Sequence, residues 1–275
     1  MSTDLQTNST DKKYKTGIHQ EIFRQALVNR FISLDEARLI AKNDKTARMV
    51  LYRLSKQGRL IRLKAGLYAA VPLEISDPNM HEVNRMLVAD RLRGPRGAIA
   101  FHSALEVHGV AYSHFNTVYY MIDTRQTFFE FQNIIYRPVW TENIFGIMDT
   151  YIDGISVRVT DKERTFLDCL RRLDLCGGLE EYLKSVEGFS LLSGPKLLDY
   201  LERFGEQSLY QRTGYVLTYL KNKIKVPDDL LTVLRNRVGS NTYYLVPEKH
   251  HSGGRLVKEW NIYVPGNIEE VTRFA

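Results

Sequence analysis

The sequence predicts an α+β protein: an N-terminal winged helix-turn-helix domain, then a mixed α/β domain ending in a helical bundle. Three observations predict it. Three short segments of helical periodicity precede a basic hairpin pattern within the first 75 residues. Aromatic and β-branched residues then dominate two stretches, Thr117–Asp123 and Phe128–Tyr136, which read as strands. Finally, leucines recur at helical spacing from Phe166 to Val238.

The first helix is read over Ile18–Asn29, where Ile22, Phe23, Ala26 and Leu27 share one face. In FISLDEARLIA, Ser33 followed by Glu36 forms a capping box that opens the second. The third, KTARMVLYRLSKQGRL, starts behind Asp44 as its expected N-cap. At about 100° per residue its inward face is Ala47, Val50, Leu51 and Leu54. The opposite face carries Lys45, Arg48, Met49, Tyr52 and Lys56, flanked by Thr46 and Arg53. Next, RLIRLKAGLYAAV reads as two strands, Leu60–Leu63 and Leu67–Val71, around the turn Lys64-Ala65-Gly66, with Arg62 and Lys64 pointing outward.

Charge sharpens this reading. Residues 1–75 carry 14 Lys+Arg against 7 Asp+Glu, whereas the remaining 200 residues are close to neutral. Arginine suits guanine edges, lysine suits phosphates, and Tyr or Met can touch thymine methyls. The expected partner is double-stranded DNA, contacted through Lys45, Thr46, Arg48, Met49, Tyr52, Arg53, Lys56, Arg62 and Lys64.

The segment VPLEISDPN, with two prolines, reads as a linker. The expected division is therefore a flexible polar N-terminus at 1–17, a DNA-binding domain at 18–75 and a C-terminal domain at 76–275. Within the last, a sheet-containing core is expected at about 80–160, a helical part at about 160–240, and then a strand-like tail. HEVNRMLVADRL reads as a helix, and Asp153-Gly154 between YI and ISVRV signals a hairpin. Thr160-x-x-Glu163 reads as a second capping box, Gly177-Gly178 as a break, and Pro195 as a helix start. Tyr243–Val246 and Trp260–Val264 read as tail strands.

The tempting chemistry lies in AFHSALEVHGV, residues 100–110. His102 adjoins Ser103, but neighbouring side chains on a helix point about 100° apart, and no G-x-S-x-G elbow is present. Ser103-x-x-Glu106 reads instead as a capping box, with Gly109 just past the helix end. Cys169 and Cys176 lack the companions of a zinc site and read as two buried thiols. His250-His251 reads as a solvated loop. Asp123, Asp149 and Asp153 lack the lysine expected beside them in a metal-dependent nuclease. No catalytic site, metal or cofactor is therefore expected. Two cysteines, no apolar leader and no run long enough to span a bilayer point to the cytoplasm.

These segments together are identified as resembling the AbiEi-type antitoxins of type IV toxin–antitoxin systems, over roughly residues 18–265. The most specific parts are Ser103-Ala104-Leu105…His108-Gly109, Glu163-Arg164-Thr165…Asp168 and Gly177-Gly178-Leu179. The resemblance implies an N-terminal domain that represses its own operon by binding promoter inverted repeats. It also implies a C-terminal domain that counters a nucleotidyltransferase-like toxin, with or without a stable complex. It assigns no toxin-countering residues. The alternative is a stand-alone winged-helix regulator whose second domain senses a ligand or mediates assembly.

Overall fold

The computed structural model describes residues 17–246, 254–266 and 268. The polar segment 1–16 and the His250-His251 pair lie outside the described residues. The protein is a mixed α+β chain that separates into two compact units, residues 1–83 and 84–275. The partition falls later than the linker composition suggests, because the proline-containing segment folds back on the first unit. Gly58 lies so close to Pro78 that a Cβ there would come within 2.4 Å of the proline ring, and His81 bonds to the backbone of Ala70.

The first unit runs α1 (Ile18–Asn29), β1 (Phe31–Ser33), α2 (Leu34–Ala41), α3 (Asp44–Lys56), β2 (Leu60–Lys64) and β3 (Leu67–Ala70). Its core joins Ile22 and Ala26 of α1, Ala37 of α2, and Ala47, Val50, Leu51 and Leu54 of α3. The expected box at Ser33 is formed: its hydroxyl accepts from Glu36 N–H, and the Glu36 carboxylate accepts from Ser33 N–H. The N-cap of α3 is Asn43 rather than Asp44. Its side chain accepts from Thr46 N–H at 2.9 Å, leaving Asp44 in the first turn for ion pairing. The Phe31–Ser33 strand had no sequence signal of its own. It pairs antiparallel with β3, giving a three-stranded sheet in the order β1-β3-β2.

The second unit opens with α4 (Arg85–Leu92). Asn84 caps it by accepting from Met86 N–H, so the helix starts later than the periodicity of HEVNRMLVADRL suggested. A six-stranded mixed sheet follows, with β4 (Ala98–Ile99), β5 (Thr117–Ile122), β6 (Phe129–Phe131), β7 (Ile134–Trp140), β8 (Ile147–Ile152) and β9 (Ile155–Thr160). Its order is β6-β7-β5-β4-β9-β8; the β4/β9 and β5/β7 pairs are parallel and the others antiparallel. The Asp153-Gly154 hairpin forms with both residues at positive φ, 50° and 76°, as a two-residue turn between right-twisted strands requires. The segment Phe128–Tyr136, read as one strand, is a hairpin. Gln132 and Asn133 take φ of 48° and 61° and reverse the chain between β6 and β7.

Helix α5 (His102–Val107) lies between β4 and β5 in sequence. The remaining helices are α6 (Lys162–Arg171), α7 (Gly178–Val186), α8 (Gly194–Phe204), α9 (Gln207–Tyr219) and α10 (Asp228–Asn236). They share one apolar core with the sheet residues Ala98 and Met121. The expected box at Thr160 is replaced by a cap at Asp161, which accepts from Arg164 N–H at 2.9 Å. Thr160 is the last residue of β9, and its buried hydroxyl pairs with that of Thr165. A small sheet of β10 (Tyr243–Tyr244), β12 (Ile262–Val264) and β11 (Arg255–Val257) closes the described chain, in that order.

Candidate nucleic-acid interface

Helix α3 is fixed by its apolar side. Ala47, Val50, Leu51 and Leu54 are all at most 5% exposed, and their burial leaves the opposite side no choice but solvent. On that side Lys45, Arg48, Met49, Tyr52, Arg53 and Lys56 are exposed, and Thr46 is half-buried beside the cap. Tyr52 is 61% and Met49 43% exposed. Lys56 Nζ stands 5.8 Å from the Tyr52 ring centroid, so the cation and ring form one patch.

The hairpin after α3 places its cations outward as well. Leu60 and Leu63 are buried while Arg62 and Lys64 are exposed. A register irregularity between Arg62 and Lys64 accompanies the turn at Gly66, which has a φ of 75°. The Gly66 carbonyl accepts from Leu34 N–H at 2.7 Å and ties the tip of the hairpin to the start of α2.

Sequence reasoning did not foresee the local ion pairing of this surface. Asp44 Oδ2 accepts from Arg48 Nε at 2.8 Å, and its other oxygen takes Arg38, which also bonds Asp35. These bonds, Arg48 foremost, hold the Asp44 carboxyl below the usual carboxylate range. One of the outward arginines is thus held by a carboxylate in the free protein.

In the second unit the His102–Ser103 pair is not a catalytic arrangement, and Ser103 is not a cap. The helix begins one residue earlier, after Phe101, so Ser103 lies inside its first turn and its hydroxyl accepts from Tyr119 N–H at 2.8 Å. His102, fully buried, sits between two carboxylates, with Nδ1 3.2 Å from Glu106 and Nε2 3.1 Å from Glu181. Neither histidine nitrogen faces the serine. Cys169 and Cys176 are free and buried, and burial raises both thiols above their ordinary range. Among the described residues no group of three or more His, Cys, Asp or Glu could hold a metal ion. No described helix is long and apolar enough to cross a membrane.

No family model matches the chain, and no curated protein sequence matches it. Its fold is similar to the crystal structure of the Rv2827c protein from Mycobacterium tuberculosis, with a TM-score of 0.55 and 13% identity over 90% of this chain and 89% of that one.

Proposed function

We propose that the chain is an antitoxin of the AbiEi type. On this reading residues 18–75 form a winged helix-turn-helix that represses the chain's own operon by binding promoter inverted repeats. The second unit opposes a nucleotidyltransferase-like toxin, and the chain has no catalytic activity of its own. The observation that carries the DNA-binding part is the outward side of α3, with Lys45, Arg48, Tyr52, Arg53 and Lys56 exposed next to the cations of the β2–β3 hairpin. The helix would enter the major groove, with Met49 and Tyr52 against thymine methyls. Arg62 and Lys64 would meet the backbone or the minor groove. The excess of positive charge within the first 75 residues supplies the attraction to a polyanion.

The test has two arms. In a mobility-shift assay on the promoter region, a Lys45/Arg48/Lys56→Ala variant loses binding while its circular dichroism stays native, because all three side chains are exposed. Wild-type binding weakens steeply with salt, since log K falls with the number of phosphates neutralised. Retention of binding by the triple variant removes the interface assignment. In the second arm, co-expression relieves the growth arrest caused by the cognate toxin. Promoter binding without relief leaves the stand-alone regulator as the surviving reading.

A further inference from the structure

The second unit contains a cavity of about 470 Å³ between one face of the six-stranded sheet and α6, within the size range of small-molecule sites. Phe101, Met121, Val139 and Trp140 form its apolar wall. Glu142, Glu206 and Arg172 also line it, and Arg164, Asp168 and Arg171 line the other side. Their spacing of i, i+4 and i+7 places all three on one stripe of α6.

Two of these three are buried charges. Arg164 and Asp168 are each 1% exposed and paired, Nε to Oδ2, at 2.8 Å. The Arg164 guanidinium lies between the Phe145 and Phe204 rings, 4.1 and 4.6 Å from their centroids, and Nη1 donates to the Phe145 carbonyl. Its Nη2 has no acceptor among the described residues. Arg171 commits only Nε, to Glu206 at 2.6 Å, and its two Nη groups have no acceptor among the described residues. A buried ion pair rarely stabilises more than well-packed apolar residues would. Arg164 Nη2 and the Nη groups of Arg171, whose side chain is 32% exposed and open to water, can therefore take an anionic group beside the apolar wall.

A second observation concerns the wall itself. Phe101, between β4 and α5, has φ 55° and ψ −138°, a conformation that side chains other than glycine rarely adopt. Such strain, about 1–3 kcal/mol, persists only where the surroundings enforce it, and it concentrates at ligand sites. The Phe101 ring borders the cavity and packs edge-on against Tyr119, 6.5 Å between centroids.

We propose that this cavity binds a small molecule joining a flat apolar or aromatic part to one anionic group, a carboxylate or a phosphate. The flat part packs on Trp140, 49% exposed. The anion takes the Nη donors of Arg171 and Arg164. Arg172, paired with Asp174, borders the same space. This site is independent of the DNA-binding surface and gives the second unit a ligand of its own.

The chain supplies its own reporter. It has two tryptophans, Trp140, 49% exposed at the cavity, and Trp260, fully buried. Full-length protein is titrated with adenosine 5′-monophosphate and, separately, with phenylacetate, following emission excited beyond probe absorbance and heat by calorimetry. The expected result is a saturable change in Trp140 emission and matching heat with one or both probes; which one binds distinguishes phosphate from carboxylate. Trp140→Phe removes the optical change. Arg171→Gln, at a half-exposed position, weakens binding by about tenfold or more with an unchanged thermal midpoint. No saturation by either probe up to about ten millimolar, well above typical small-ligand affinities, overturns the proposal, as does wild-type affinity in Arg171→Gln.

Discussion

Asp44 shows how one carboxylate can govern a cationic surface. It stands in the first turn of α3, where a negative charge favours the helix N-terminus, and it bonds both Arg48 and Arg38. On the proposed reading it also weakens contact with any phosphate backbone, so that Arg48 is released only where a matched site outcompetes the ion pair. Asp44→Asn is therefore expected to raise affinity for an unrelated duplex more than for the operator. Fluorescence anisotropy on both duplexes at one salt concentration measures the ratio, and an unaltered ratio denies Asp44 this role. His108 offers a prediction about pH. It donates Nε2–H to the Thr160 carbonyl at 2.8 Å, and burial, the largest influence, holds its pKa below 6.5. The unfolded chain then takes up the proton first, so this contribution is complete above about pH 6.5 and is lost as pH falls below it. His81 in the other unit shifts in the same direction, also through burial. The informative quantity is therefore the difference between proteins: His108→Gln should show a smaller fall in thermal midpoint between about pH 7.5 and pH 5.5 than the wild type. Parallel curves would refute it.

At the scale of elements, the docking of the terminal sheet on α9 rests on one close approach. Trp260 is fully buried, and a Cβ on Gly214 would lie 2.0 Å from its ring. Gln211 Nε2 donates to the carbonyls of Asn241, Trp260 and Asn261 and binds the same sheet to the helix. Alanine normally stabilises a helix interior by about 1 kcal/mol relative to glycine. Gly214→Ala should do the reverse, costing roughly 1–3 kcal/mol by overpacking. Trp260→Ala should cost roughly 3–5 kcal/mol through the cavity it leaves. Chemical denaturation measures both, and a stabilised Gly214→Ala would show that the helix and sheet part easily. The caps illustrate a different point about elements. Ser33, half-buried at the end of β1, caps α2 as its spacing with Glu36 indicated, its hydroxyl accepting from Glu36 N–H. Thr160 and Ser103 carry the same spacing and do not cap: both are fully buried and their hydroxyls bond elsewhere, that of Thr160 with the Thr165 hydroxyl and that of Ser103 with Tyr119 N–H.

For the whole molecule, the division at Val83/Asn84 makes the intervening segment the point of protease attack. Leu73 and Met80 there are 58% and 75% exposed, and Glu74 and Glu82 are exposed as well. Brief digestion with a glutamate-specific protease should release two fragments near residues 74–83, identified by mass spectrometry. Prior cleavage inside α3 or α9 would contradict the partition.

Periodicity and short turn motifs made much of this architecture readable from the chain. The three N-terminal helices, the Asp153-Gly154 hairpin, the helical run from α6 to α10 and the outward residues of α3 all depend on interactions within about a dozen neighbours. What needed the tertiary structure was what distant partners set, above all β1 as a third strand, where Phe31 pairs with Ala69. The β6–β7 hairpin and the caps at Asn43 and Asp161 are local, but Asp44 and Thr160 offer similar capping chemistry one residue away. The cavity belongs with β1. Arg164, Asp168 and Arg171 share a helical stripe that any reader of the sequence can draw, yet only packing decides that the stripe faces Phe101 and Trp140 rather than solvent. Local periodicity specifies which residues share a face; the burial of that face, and hence its chemistry, is a property of the assembled core.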